Sequence, residues 1–205
     1  MTLRQLICAV ALVAVSGCYT GAARDVSPRQ VAEAQGDPTW RLVDDVPFVA
    51  QQSDNDCGSA ALTMALAHYQ LPPARLPLDA QGARAGDLRD AARARGLQSF
   101  VISGTFGDLL EQVGRGRPVV VGLAKPLSNG HAVAHYEVVV GLNRDRRLIR
   151  SLDPARGLRE NSFEGFAREW IPTRQVMIVM FPAVVPGAAP DPAAEPASSP
   201  AASSS

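Results

Sequence analysis

The chain has 205 residues with 20 basic and 20 acidic side chains, and 46% of its residues are hydrophobic. The length fits one domain with terminal extensions, and the apolar fraction allows a sizeable core. The balanced charge gives no sign of the basic surface typical of nucleic-acid-binding proteins, and none of a basic membrane-binding face. We therefore expect one globular domain with tails, and no nucleic acid among its partners.

The first residues have the features of an export signal. Arg4 precedes an apolar run at 6–15 that is too short to span a bilayer as a mature helix. The run ends in Val-Ser-Gly before Cys18, which resembles a bacterial lipobox, where cleavage precedes the cysteine and the cysteine carries lipid. We predict a lipoprotein signal peptide at 1–17 and acyl chains on Cys18 that anchor the protein in the membrane. A plain secretory signal with an incidental Cys18 is the alternative.

The position of the anchored protein is predicted from the residue after the cysteine. By analogy with Gram-negative lipoprotein sorting, Tyr19 in place of aspartate predicts the outer membrane. We therefore expect a protein of the bacterial cell envelope, on the periplasmic face of the outer membrane.

The sequences of the remaining terminal segments lack the apolar pattern of a folded core. Residues 18–40 show little apolar periodicity and are predicted to be a tether that contains a possible short helix at 28–35. Residues 182–205 are rich in Pro, Ala and Ser and cannot bury enough apolar surface to offset ordering, so we predict a disordered tail. The folded domain is assigned to residues 41–181.

The cysteines leave one free thiol in the mature domain. Cys8 is removed with the signal and Cys18 would carry lipid, so only Cys57 remains and no intramolecular disulfide can form. An unpaired thiol in an exported protein requires an explanation, because those compartments are usually oxidising. Catalysis and simple burial in the core are the two explanations.

The sequence around Cys57 predicts a loop that leads into a helix. An Asp/Asn cluster precedes residues 59–69, which are rich in helix-forming residues, and either Asp54 or Asp56 could cap the helix. Cys57 would then lie in the first turn, where free N–H groups and the helix dipole favour a negative charge. This position favours the nucleophilic thiolate, and a glutamine just upstream could donate to an oxyanion.

The later part of the chain predicts small helices and a mostly antiparallel sheet, an α+β fold. The predicted helices cover 87–95, a segment that starts at Thr105 or Asp108 and ends near 113, and 162–170. The predicted strands cover 97–103, 118–123, 135–142, 147–152 and 175–181. A loop is expected at 125–132, and a turn at 143–146 makes two of the strands antiparallel neighbours. His135 and Asp153 would then lie side by side, with Asp153 holding the imidazole while His135 accepts the thiol proton.

Four motifs in this order resemble the bacteriocin-processing cysteine peptidases, family thirty-nine of the cysteine peptidases, which cleave after double glycines and have a papain-like fold. The motifs are Gln51 six residues before the cysteine, Asp-Cys-Gly at 56–58, His-Tyr at 135–136 and Asp-Pro at 153–154. The resemblance covers about residues 46–181, and it is closest to stand-alone exported or lipid-anchored members, because no transporter domain follows.

The resemblance implies a role for each residue. Cys57 is the nucleophile, His135 the base, Asp153 the residue that orients it, and Gln51 the oxyanion donor. Gln52 competes with Gln51 but is off by one position, and His131 competes with His135 from a glycine-flanked loop. The third histidine, His68, is expected to be structural.

The expected function is hydrolysis of peptide bonds in an envelope or exported polypeptide. An amidase, deamidase or transglutaminase-like acyl transfer on the same residues is one alternative, because a fold does not decide among these reactions. A non-catalytic domain that binds peptides is the other. Neither a cofactor nor a metal is predicted, because the three histidines and one thiol lack ligand spacing.

Overall fold

The computed structural model describes residues 19–74, 76 and 82–183. The predicted signal peptide at 1–17, Cys18, and the tail from 184 onward lie outside these residues. None of the helices in the described part of the chain is long and apolar enough to cross a membrane.

The order of elements is mixed at first and then mostly strands. The helices are α1 (Pro28–Gln35), α2 (Cys57–His68), α3 (Ala85–Arg93), α4 (Phe106–Gly114) and α5 (Phe163–Trp170), and a 3₁₀ turn follows at Ile171–Thr173. The strands are β1 (Arg24–Asp25), β2 (Trp40–Leu42), β3 (Leu97–Ser103), β4 (Val119–Pro126), β5 (Ala132–Asn143), β6 (Leu148–Asp153), β7 (Gly157–Ser162) and β8 (Val176–Pro182).

One antiparallel sheet holds these strands together. Its order is β1-β7-β6-β5-β4-β8-β3, and β2 pairs with the far end of β5. The central hairpin pairs β4 with β5 over eight positions, from Val119 with Val139 to Pro126 with Ala132. The predicted α+β, mostly antiparallel fold is confirmed.

Helices cover both faces of the sheet, because side chains alternate between the faces along each strand. Val120, with Val138 of the neighbouring strand, packs in one buried cluster with residues of α2 and α3. Val119 and Val121 point the other way, into a second cluster that contains residues of α4 and α5. A three-layer arrangement results, and it fixes α2 beside the central strands.

The segment predicted to be a tether is packed onto the domain. The helix expected at 28–35 is present, with Ser27 and Gln30 forming a capping box. Around it, β1 pairs with β7 and β2 pairs with β5. These two strands have only two and three residues, so their sequences carry no alternation that could reveal them.

The hairpin that carries His135 is longer than predicted. The expected loop at 125–132 shrinks to a turn at 127–131, because pairing continues to Pro126 and Ala132. His135 therefore lies inside β5 rather than at its start. Strand β7, which was not predicted from the sequence, pairs with β6 and covers its outer edge.

Candidate active site

Cys57 is the first residue of α2 and is buried, with 7% of its surface exposed. Asp56 occupies the cap position but does not cap the helix with its side chain. Its carboxylate instead accepts hydrogen bonds from the backbone N–H groups of Gln52, at 2.9 Å, and Ser53, at 3.1 Å. The aspartate thus closes the preceding loop, and this loop delivers the thiol to the N-terminus of the helix, where backbone donors are free.

His135 connects Cys57 to Asp153. Its Nε2 lies 2.8 Å from Oδ1 of Asp153, and the ring lines the same cleft as Cys57, close enough for the thiol to raise the pKa of the imidazole. Because Nε2 faces the carboxylate, Nδ1 is the nitrogen left for the thiol. The structure therefore brings together three of the four site residues predicted from the sequence, in the order thiol, imidazole, carboxylate.

The surroundings favour a charged imidazole. Burial alone would lower the pKa of His135, but hydrogen bonds with Asp153 and Cys57 and the negative charges of Asp153 and Glu137 raise it to about 9. Burial likewise opposes the charge on Asp153, yet His135, Tyr19 and the Ala155 N–H lower its pKa to about 2. At neutral pH the site thus holds an imidazolium against a carboxylate.

A buried cluster of charges lies behind the histidine. Glu137 is two residues along the same strand and therefore on the same face. Nζ of Lys125 lies 2.5 Å from Oε1 of Glu137 and 2.6 Å from Oε2 of Glu169 on α5. Burial lowers the pKa of Lys125, but the two glutamates raise it above its ordinary value, so the ammonium is retained. Ser151 donates a further hydrogen bond to Glu137 at 2.5 Å.

Tyr19 also reaches this region from the N-terminal end of the described chain. Its hydroxyl donates to Oδ2 of Asp153 and lies 3.4 Å from Nε2 of His135. Burial and the neighbouring Asp153 raise the pKa of Tyr19, so the phenol keeps its proton.

The Cys57 side of the imidazole borders a cleft of about 220 Å³. The cleft walls consist mostly of small and apolar residues. They are Gly82, Ala83, Ala85, Gly122, Leu123, Ala134, Tyr136, Thr173 and Val176, together with Cys57 and His135. A peptide could reach the thiol through this cleft.

Gln51 is held close to Asp153 by its backbone and not by its side chain. Its N–H donates to the carbonyl of Pro154 at 3.0 Å, while its Nε2 donates to the carbonyl of Ser53 at 3.0 Å. Its Oε1 is buried and has no hydrogen-bond partner among the described residues. Gln51 is not among the residues that line the cleft, so its predicted role as an oxyanion donor stays a prediction.

The competing residues lie elsewhere. Gln52 is exposed, and its side chain donates to the carbonyl of Ala50 at 3.1 Å. His131 is exposed in the turn between β4 and β5. His68 ends α2, with Nδ1 3.1 Å from the carbonyl of Asp44.

A metal ion has a possible ligand set here, but the geometry does not favour one. Single ligand atoms of His135, Glu137 and Asp153 lie within 4.8 Å of one another and are buried. The ammonium of Lys125 already neutralises Glu137, and the imidazole edge that faces Asp153 is occupied by that carboxylate. The positive charge of the cluster therefore comes from protein side chains.

A thiol at a helix N-terminus, next to a histidine and an aspartate of an antiparallel sheet, defines a papain-like cysteine peptidase. The sequence profile of the Peptidase C39 family matches residues 45–184, so the chain belongs to this family and is a cysteine peptidase. No curated protein matches the chain.

Solved structures show the same fold. The peptidase domain of Streptococcus ComA, a bifunctional ABC transporter, is 22% identical with a TM-score of 0.54, and the match covers 68% of this chain and 100% of that one. A double glycine motif protease from an AMS/PCAT transporter, in complex with its leader peptide, is 21% identical with a TM-score of 0.52 over 70% and 96%. A C39-like peptidase from Bacillus anthracis is 17% identical with a TM-score of 0.53 over 69% and 97%.

Four polar residues lie beside the site although the sequence did not predict them there. Glu137 carried a usable signal, because an acid two residues after His135 in an apolar strand must share the histidine's face. Lys125 was assigned to a loop, so its burial was not expected. Tyr19 and Glu169 come from distant parts of the chain, and no local pattern connects them to the site.

Proposed function

We propose that this peptidase hydrolyses peptide bonds through a triad of Cys57, His135 and Asp153. The observation that carries the proposal is the position of one imidazole, bound to the carboxylate of Asp153 at 2.8 Å on one edge and sharing the cleft with the Cys57 thiol on the other. Sγ of Cys57 attacks the peptide carbonyl, and the tetrahedral intermediate collapses as His135 gives its proton to the leaving amine. His135 then removes a proton from water, the water attacks the thioester, and the thiolate leaves with release of the acid.

The oxyanion requires donors that act only in the transition state. We assign this role to the backbone N–H of Cys57, which has no intrahelical partner, and to Nε2 of Gln51. Gln51 would have to turn its amide from the carbonyl of Ser53 toward the cleft when the substrate binds. A catalytic hydrogen bond that forms only with substrate is common in apo enzymes.

The small cleft walls let a peptide backbone come close to the thiol. Glycine or alanine occupies five of the lining positions, so few wall side chains stand between a bound backbone and Cys57. One structurally similar protein is described as a double glycine motif protease with a leader peptide. We therefore propose that this chain cleaves after glycine pairs in exported or envelope polypeptides.

The membrane location is also part of the proposal. The lipobox-like sequence before Cys18 supports acylation of that cysteine, and Tyr19 in the next position supports the periplasmic face of the outer membrane. Intact mass of the native mature protein tests this assignment. A mature chain that begins elsewhere and carries no acyl chain would contradict it.

The test of the activity has two parts. A quenched fluorescent peptide with a central Gly-Gly is incubated with wild-type protein, Cys57→Ala, His135→Ala and the control His131→Ala, which removes the exposed histidine. Cleavage after the glycine pair by the wild type and the control, and none by the other two, is expected. In cells, N-termini of envelope proteins are compared between wild type and Cys57→Ala. Retention of intact peptide by all variants would instead indicate a binding domain.

A further inference from the structure

The first described residues form a strap, residues 19–25, along the charged side of the site. Thr20 N–H donates to the carbonyl of Pro126 at 2.8 Å, and Arg24 and Asp25 pair with β7. The strap passes so close to Glu169 that a Cβ on Gly21 would lie 2.5 Å from its Oε1. A larger residue here would push aside the Glu169 carboxylate that binds Lys125, so the segment is fitted to the buried cluster.

Tyr19 contributes the one strap side chain that touches the proposed triad. Oδ1 of Asp153 is bound by Nε2 of His135 at 2.8 Å and by the N–H of Ala155 at 2.9 Å. The hydroxyl of Tyr19 binds the other oxygen, Oδ2. With a donor on each oxygen, the carboxylate cannot rotate without breaking a hydrogen bond.

The tyrosine itself is fixed from both sides. Nη2 of Arg156 donates to its carbonyl at 2.8 Å, and the same guanidinium lies over its ring at 4.2 Å from the centroid. Nζ of Lys125 lies 5.4 Å from the ring centroid. The void between these groups is about 10 Å³, which leaves little room for the hydroxyl to move.

We infer that Tyr19 is a positioning residue of the catalytic machinery, acting on His135 through Asp153, and that the strap completes the active site. The inference rests on the proposed triad. It extends beyond the region shared with the family, because the family profile begins at residue 45. The hydroxyl holds Asp153 in the orientation that keeps the imidazole aimed at Cys57.

The variant Tyr19→Phe tests this, because it keeps the ring over Arg156 and removes only the hydroxyl. Alkylation of Cys57 by iodoacetamide at neutral pH, which needs no substrate, and kcat on the Gly-Gly peptide should each fall about 10-fold, the loss of one hydrogen bond to a charged group. KM should stay unchanged, because Tyr19 does not line the cleft. Tyr69→Phe is the matched control, since its hydroxyl donates to the carbonyl of Met180 at 2.7 Å, away from the triad.

A double-mutant cycle separates positioning from a general loss of stability. In an Asp153→Asn background, Tyr19→Phe should cause no further loss of alkylation rate, because the residue through which it acts is already altered. An equal loss in both backgrounds, or wild-type rates in Tyr19→Phe, would overturn the inference. If the wild type is alkylated in a His135-dependent way but cleaves no peptide, the peptidase proposal fails while the alkylation cycle still decides the role of Tyr19.

Discussion

The two edges of the His135 imidazole face different surroundings. On the Cys57 edge lies a cleft of about 220 Å³ with mostly small, apolar walls. On the Asp153 edge lies a packed group of charged and polar residues that encloses a void of about 10 Å³. We refer to these as the open edge and the closed edge of the histidine.

The difference indicates a division of roles between the two edges. Charges at the closed edge are compensated by neighbours, as Lys125 is by Glu137 and Glu169, and the imidazole itself is bound there by Asp153. The open edge offers little besides the thiol and space. Substitutions at the closed edge should therefore change stability and proton transfer, whereas those at the open edge should change turnover alone.

The largest expected effect comes from Asp153→Asn. The amide can hydrogen bond to either tautomer of the imidazole and carries no charge to stabilise the imidazolium, so kcat should fall by up to about 10⁴-fold. Cleavage of the Gly-Gly peptide measures it, with Asp37→Asn as the control, since that carboxylate hydrogen bonds to Thr39 and not to a triad residue. A loss below tenfold would mean that Asp153 does not orient His135.

Removal of the buried ammonium should have the next largest effect. Lys125→Met leaves Glu137 and Glu169 buried without their partner, which should cost about 3–5 kcal/mol of unfolding free energy. The control Arg147→Met breaks an exposed pair with Glu164 and should cost about 1 kcal/mol or less. Urea denaturation measures both. Equal losses would show that the closed edge has no special dependence on its buried charges.

The proposed oxyanion donor would act at the open edge only after its amide turns toward the cleft, and Gln51→Ala should reduce turnover by about 100- to 1,000-fold, because a transition-state donor is lost. The rate of Cys57 alkylation should stay unchanged, since the imidazole and thiol are untouched. The neighbouring exposed glutamine gives the control Gln52→Ala, which should retain full activity. If Gln52→Ala were the impaired variant, the oxyanion assignment would move by one residue.

A smaller effect is expected from pH. The folded-state pKa of His135, about 9, lies above the ordinary 6.5. The contribution of the protonated histidine to the free energy of unfolding is therefore complete below about pH 6.5 and disappears as pH rises through 9. This contribution amounts to at most about 3 kcal/mol. In urea denaturation at pH 6, 8 and 10, the free energy of unfolding should therefore fall more steeply with pH for the wild type than for His135→Asn. Parallel declines would contradict a raised pKa.

The sequence predicted the core of the site because its residues lie in elements with strong local signals. Cys57 precedes an alanine-rich helix, and the strands that carry His135 and Asp153 are apolar and joined by a recognisable turn. The charged cluster was not predicted, because Lys125 and Glu169 meet only through long-range packing. Likewise, residues 19–42 are held by contacts with β5 and β7, and their own sequence has little periodicity.

The position of Tyr19 beside Asp153 bears on how far from the membrane the enzyme can act. Consecutive Cα atoms are about 3.8 Å apart, so a lipid on Cys18, as proposed, would begin one residue from the side chain that touches Asp153. No flexible linker would separate the bilayer from the catalytic centre. The active site could then lie no farther from the membrane than the size of the domain itself. Only polypeptides that pass next to the membrane surface could be cleaved.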